Sequence, residues 1–227
     1  MITLQKWNDF KKLSGTSREP KSVLDVGCGP GVFLYLLERE REIKGVGIEI
    51  TDSKVKYANE HLHVLAQKGD AGNLPFEDRS FDVVVALEVL EHLPYGTYEC
   101  ALREMARVAS KTILITVPYN EDRFFMRCPY CQTRFNPWYH LRTFREDSLV
   151  NLFQGFTIKK IDKIGIIYAY PKILKRLYDV LYEKRSSSEF VCPACGYGRS
   201  RRKINHQQYK NEILPVSKPL INVFNNI

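Results

Sequence analysis

No apolar run in this chain approaches the roughly 20 residues that a bilayer-spanning helix needs. Residues Met1 to Phe10 lack the charged, then apolar, then small-residue order of a secretory leader. The expected location is therefore the cytoplasm, with no transmembrane segment. In that compartment the six cysteines are expected to be thiols or metal ligands rather than disulfides. Internal repeats and low-complexity tracts are also missing, apart from the short run Ser186-Ser187-Ser188.

What is present suits one folded unit. At 227 residues, 44% hydrophobic and 12% aromatic, the chain can bury one sizeable core with a small appendage. The net charge of +8 is unevenly spread: 14 Lys and Arg face 5 Asp and Glu from Phe156 onward, whereas residues 1–155 carry 20 against 21. The basic character belongs to the C-terminal third. That suits either a solvated face or an anionic partner, RNA or a membrane surface.

The stretch Val23-Leu24-Asp25-Val26-Gly27-Cys28-Gly29-Pro30-Gly31 organises the rest. An apolar run reading as a buried strand stops in a glycine-rich turn, and an amphipathic helix follows with Val32, Phe33, Leu36 and Leu37 on one face. The glycines form G-x-G-x-G; the third glycine of a dinucleotide fingerprint would fall at Val32 and is absent. This weakens a hydride-transfer reading. Asp25, an acid inside the motif, suits a cationic or amino-acid-bearing ligand better than a diphosphate. On these nine residues the chain resembles the class I S-adenosylmethionine-dependent methyltransferases. The resemblance covers about residues 20–165 and implies an α/β, Rossmann-like, mostly parallel sheet flanked by helices. It assigns the cofactor to Asp25, Gly27, Gly29, Gly31, Glu49, Ile50, Asp70, Ala71 and Leu87. Glu49 would accept from both ribose hydroxyls and Asp70 from the adenine amine.

The coarse reading predicts a helix over 3–13 and a linker, making 1–20 an N-terminal piece, then a methyltransferase domain over 21–165. Strands are expected at Ser22–Val26, Ile43–Glu49, Val64–Lys68, Phe81–Leu87, Ser110–Val117 and Phe156–Ile164. Helices are expected at Val32–Arg41, Ser53–Ala66, Thr97–Val108 and Arg145–Phe153. A seventh strand falls at Ile166–Tyr170 or Glu189–Val191. Residues 166–227 form a basic C-terminal segment, with an amphipathic helix over Pro171–Arg185 and a basic cluster at Arg199, Arg201, Arg202 and Lys203.

Cys128-Pro-Tyr-Cys131 and Cys192-Pro-Ala-Cys195 are two C-P-x-C turns, sixty residues apart. Either alone could be a redox motif. Two matched pairs point to four thiolates around a structural Zn²⁺, a zinc-knuckle element that staples the C-terminal segment back onto the domain. Cys28 reads as a loop residue near the cofactor, and Cys100 as buried packing.

For the chemistry, His92 and His140 are the candidate bases or acceptor-positioning groups, since imidazole titrates near neutrality. The run Glu88-Val89-Leu90-Glu91-His92-Leu93-Pro94, together with His140-Leu141-Arg142-Thr143-Phe144, resembles small-molecule methyltransferases. That resemblance implies O-methylation of a small molecule or a glycan or lipid precursor. Glu88, Glu91, His92 and His140 also resemble the metal set of small-RNA 2′-O-methyltransferases, which would add Mg²⁺ or Mn²⁺ and an RNA partner. A binding module without turnover is the reading from another class.

Overall fold

The computed structural model describes residues 20–121, 123, 125–163 and 191–198, and the backbone of 219–226. The predicted helices at 3–13 and 171–185 and the basic cluster at 199–203 lie outside the described residues.

Alternation of strand and helix begins with β1 (Val23–Val26), α1 (Val32–Arg41), β2 (Gly45–Glu49), α2 (Asp52–His61) and β3 (Leu65–Lys68). It continues with β4 (Phe81–Leu87), a one-turn 3₁₀ helix at Leu90–His92, α3 (Thr97–Val108) and β5 (Ala109–Pro118). A small hairpin follows, β6 (Met126–Arg127) and β7 (Arg134–Phe135), then α4 (Glu146–Leu149), β8 (Phe156–Lys163) and β9 (Pro219–Asn226). The main sheet has seven strands in the order β3-β2-β1-β4-β5-β9-β8. Strands β1 to β5 pair in parallel, and β9 runs antiparallel between β5 and β8. This is the Rossmann-like sheet expected.

The sheet is apolar on both faces. Leu24, Val26, Val84 and Ala86 belong to one buried cluster, while Val23, Val83 and Val85 belong to the other. Alternate residues of a strand point to opposite faces, so two cores sandwich the sheet. Central strands buried on both sides read as unbroken apolar runs, which is why β4 was legible from sequence.

Several expected boundaries move. Helix α1 buries Phe33, Leu34 and Leu37, leaving Val32 44% exposed. Helix α2 ends at His61, four residues short of β3, because Leu65–Lys68 pairs with Val46–Glu49 of β2. The helix expected over Arg145–Phe153 is the single turn α4. Of the two expected seventh strands, Ile166–Tyr170 and residues 189–190 lie outside the described residues, and Val191 lies outside any strand. Pro219–Asn226 takes that place in the sheet, with Leu114 opposite Val223 on one side and Ile161 opposite Asn222 on the other. Cys28 is buried, packed towards Gly47, where an added Cβ would lie 2.5 Å from its Sγ. Burial and the nearby carboxylate of Asp25 push its thiol up to about 12. Cys100 is only half-buried.

Candidate active site and cysteine centre

The carboxyl ends of the parallel strands converge on one edge of the sheet, where ligands of open α/β folds bind. After β1 the chain turns through Gly27, Gly29 and Gly31, all at positive φ. A Cβ on Gly27 would meet Val89 at 2.6 Å, and one on Gly31 would meet Val64 at 2.6 Å. Those two glycines are required by packing as well as by backbone conformation. Gly29 differs: apart from its chain neighbours, no heavy atom of the described residues lies within 4 Å of its would-be Cβ. Its open side is therefore a place where a ligand can meet the backbone.

Glu49, at the end of β2, is 5% exposed. Its Oε2 accepts from the Gly29 N–H at 3.0 Å and its Oε1 from the Thr51 N–H at 2.9 Å, with Lys54 Nζ 3.7 Å away. A carboxylate has about four acceptor sites, so each oxygen keeps one for a hydroxyl. Ile50 beside it is 67% exposed, an apolar surface beside that carboxylate. Asp25 is 2% exposed. Burial first, then the Glu49 charge, raises its carboxyl to about 7. A cation bound nearby would relieve both effects.

After β3, Asp70 is exposed, and its Oδ1 accepts from the Gly72 N–H at 2.8 Å. The loop beyond is held from α3: Arg107 donates to the carbonyls of Leu74 and Phe76, and Glu104 accepts from the Leu74 N–H. Ala71 and Leu87 are half-buried. The structure thus brings Asp25, the glycine turn, Glu49, Ile50, Asp70 and Ala71 to one side of the sheet edge.

The other side is built from β4, β5 and a distant loop. Leu141 N–H donates to the Glu91 carbonyl at 2.8 Å, and Asn120 N–H to the Phe144 carbonyl at 2.7 Å. These bonds bring His140 to His92, ring centroids 4.9 Å apart and edge to face. Burial and His140 hold the His92 imidazole below its ordinary value. His140 is 8% exposed, and its Nδ1 lies 2.7 Å from Glu121 Oε2. Glu121 was missed in the sequence; its position three residues past the end of β5, on the ligand-binding edge, was the available signal. Glu91 is fully buried, and neither carboxylate oxygen has a hydrogen-bond partner among the described residues. Burial and the Glu88 charge raise its carboxyl to about 8. Ligand atoms of Glu91, His92 and His140 lie within 4.8 Å of one another; Glu88 is not part of that cluster.

The four knuckle cysteines also converge. Their sulfurs all lie within 4.8 Å of one another, and the close approaches are crosswise: Cys128 to Cys195 and Cys131 to Cys192, each 3.6 Å. A tetrahedron with Zn–S bonds of about 2.3 Å has edges of about 3.8 Å, so the donor set fits zinc. The two turns share one backbone pattern. Cys128 N–H donates to the Thr133 carbonyl and receives the Gln132 N–H at its own carbonyl; Cys192 does the same with Tyr197 and Gly196. Gln132 and Gly196 occupy the matching positive-φ position. Hydrogen bonding with Thr133 holds the Cys131 thiol low, at about 6.

Residues 23–112 match a family model described as Methyltransferase domain. Norajmaline N-methyltransferase of Rauvolfia serpentina is 37% identical over 101 residues, 41% of this chain and 34% of the relative. The 27-O-demethylrifamycin SV methyltransferase of Amycolatopsis mediterranei (strain S699) is 36% identical over 93 residues, 38% of this chain and 34% of the relative. The chain thus spans about a third of the length of these curated relatives. Among solved structures, a putative methyltransferase from Bacillus halodurans C-125 superposes with a TM-score of 0.61 at 15% identity, covering 97% of this chain and 98% of the other. The [4+2]-cyclase SpnF superposes with a TM-score of 0.62 at 18% identity, covering 97% and 80%. At such identities these two likenesses are of fold. Among the described residues, no helix is long and apolar enough to cross a membrane.

Proposed function

We propose that this chain is an S-adenosylmethionine-dependent methyltransferase acting on oxygen of a small molecule or a glycan or lipid precursor. The observation that carries the reading is the pair of buried carboxylates, Asp25 and Glu49, flanking the open face of Gly29. Glu49 keeps acceptor capacity for two ribose hydroxyls, Ile50 offers an apolar face to a base, and Asp70 retains a free oxygen for an amine. Asp25 gains a partner in a cationic amino-acid group. Ala71 and Leu87 line the same edge.

S-adenosylmethionine supplies a methyl group already activated by a positive sulfur. The chain's own contribution is alignment and proton removal. His140, with Nδ1 held by Glu121, is the base for the acceptor hydroxyl. His92, its imidazole held below its ordinary value, positions that hydroxyl from the other side of the site. The 27-O-demethyl compound in the name of the Amycolatopsis relative supports oxygen; the Rauvolfia relative is named for nitrogen. Calorimetry with S-adenosylmethionine tests the cofactor assignment: wild type binds and Glu49→Ala does not. Unchanged affinity in that variant sinks it. Binding with no transfer of labelled methyl to any fraction of a cell extract leaves a binding module instead.

The four cysteines hold one structural Zn²⁺, with no open coordination position for catalysis. Metal analysis of the purified chain is expected to find about one zinc per chain.

The carboxylate of Glu91, without a hydrogen-bond partner among the described residues and 4.0 Å from His92 Nε2, favours a second reading, in which Glu91, His92 and His140 bind Mn²⁺ or Mg²⁺ against paired hydroxyls, as at an RNA terminus. Methyl label entering RNA only with Mn²⁺ present, and not with a chelator, would promote it over the small-molecule reading.

A further inference from the structure

The cysteine centre and His140 are parts of one short stretch of chain. The hairpin β6–β7 carries the first knuckle at its turn, and β7 runs directly into Asn136. Phe135, the last residue of β7, is buried with Met126, Cys128 and Cys192, with Tyr197 packed against them. Asn136 is 5% exposed, and its Oδ1 accepts from the backbone N–H groups of Trp138 and His140. Its carbonyl accepts from the Tyr139 N–H at 3.0 Å. One side chain therefore wraps the five residues that end at His140 into a closed turn.

The second knuckle grips the same turn from the other side. Tyr139 donates its hydroxyl proton to the carbonyl of Val191, the residue before Cys192. Its ring stacks on Phe135, with centroids 6.5 Å apart. Tyr139 holds φ at +61°, a conformation bulky side chains rarely adopt. A strained residue next to a functional one persists only where its surroundings over-determine it. Here the surroundings are the two knuckles. Separating them would release the hydroxyl contact and the reason for the strain together.

On the far side His140 is tied to the parallel sheet through Glu121 and through Leu141 N–H to the Glu91 carbonyl. The imidazole thus sits between two anchors, one on the sheet and one on the cysteine centre. Among the described residues the glycine turn, Glu49 and Asp70 bond to neither knuckle; the turn bonds to Ile48 and Glu49 of β2, Glu49 also to the Thr51 N–H, and Asp70 to Gly72 and Asn73 of its own loop.

We infer that Tyr139 is a positioning residue through which the cysteine centre orients His140, so that metal in the four thiolates governs the acceptor side and leaves cofactor binding untouched. This rests on the zinc and His140 assignments proposed above. It gives the wide spacing of the knuckles a purpose: closing them clamps a turn at the mouth of the acceptor pocket. It also makes the acceptor side sensitive to thiol oxidation, since Cys131 and Cys195 are exposed.

The test uses the full chain labelled with ¹⁵N-histidine, after metal analysis. Two-bond ¹H–¹⁵N spectra report the tautomer and order of each imidazole, with His140→Gln identifying its signal. In zinc-loaded protein His140 is expected as a single tautomer with the proton on Nδ1, facing Glu121. Chelation, or Cys131→Ser at an exposed ligand, is expected to broaden or split that signal. S-adenosylmethionine affinity by calorimetry is expected to stay within about twofold. Tyr139→Phe keeps the ring and all four thiols, so it should retain one zinc yet reproduce the histidine change. A His140 signal unmoved by both zinc removal and Tyr139→Phe overturns the inference alone. Absence of zinc from the purified chain overturns it together with the zinc assignment. Loss of cofactor affinity in parallel with the histidine change also overturns it, because the centre would then hold the whole domain.

Discussion

The two halves of the sheet edge are made differently. On the β1–β3 side the polar groups are matched: Glu49 has a backbone donor on each oxygen, and the glycine turn bonds back to the Ile48 carbonyl. On the β4–β5 side, buried polar atoms have no hydrogen-bond partner among the described residues, among them both oxygens of Glu91 and the Arg142 Nη2. Buried polar groups are normally hydrogen-bonded, and leaving one unmatched costs about 1–3 kcal/mol. In the first half Glu49 and the glycine turn are held by backbone bonds, and the buried Asp25 is the group that a cationic ligand would complete. The second half is incomplete, as expected where an acceptor supplies the missing partners.

The largest effect expected is on the matched side. On the proposed function, Glu49→Ala removes two charge-assisted contacts to a bound ribose, each worth about 1.5–3 kcal/mol, so S-adenosylmethionine affinity should fall at least about a hundredfold. Calorimetry measures it, and a milder loss would erase the contrast between the halves.

Removal of the zinc proposed for the four cysteines should act on the other half alone. Amide exchange is expected to speed up by about a hundredfold or more over residues 126–140 and 191–198, because metal-site folding energy is local to the knuckles. Amides of β1 and α1 should stay protected. Uniform deprotection would mean that the halves are one cooperative unit.

Asp25 gives the matched half a pH dependence. Its carboxyl is raised from an ordinary 3.8 to about 7. A raised value favours the folded state at low pH, and that contribution is lost as pH rises from about 4 through 7. The loss is roughly 4 kcal/mol at most, at 1.36 kcal/mol per unit. Asp25→Asn should therefore be the more stable chain at pH 8 in urea unfolding without cofactor. A cation needs the ionised form, so wild-type affinity for S-adenosylmethionine should rise between pH 5 and 7 by up to about tenfold per unit, then level off. The Asp25→Asn curve should be flat.

The smallest effect belongs to Arg142, whose guanidinium lies 3.9 Å from the Tyr98 ring centroid and donates to the Leu90 carbonyl. Arg142→Lys keeps the charge but loses the planar stacking, for about 1 kcal/mol of stability. Urea unfolding reads this, with cofactor affinity unchanged.

Legibility followed the same division. β1, the glycine turn and β4 could be read because strand period, glycine conformations and apolar runs are local properties. Carboxylates at strand ends were legible because the fold puts strand ends on one edge. Glu121 was not, because nothing near it in sequence mentions His140, nineteen residues away. The end of α2 was misjudged because pairing with β2 overrode helical preference.

The sequence by itself determined the opening strand–turn–helix, the acids at the ends of β1 and β2, and two matching cysteine turns, because each follows from residues within a few positions of one another. Only the tertiary structure decided that the last strand enters between β5 and β8, that the cysteines approach crosswise, and that Glu121 and Tyr139 flank His140. Those pairings join segments far apart in the chain, and they are selected by the surfaces that the whole fold brings together.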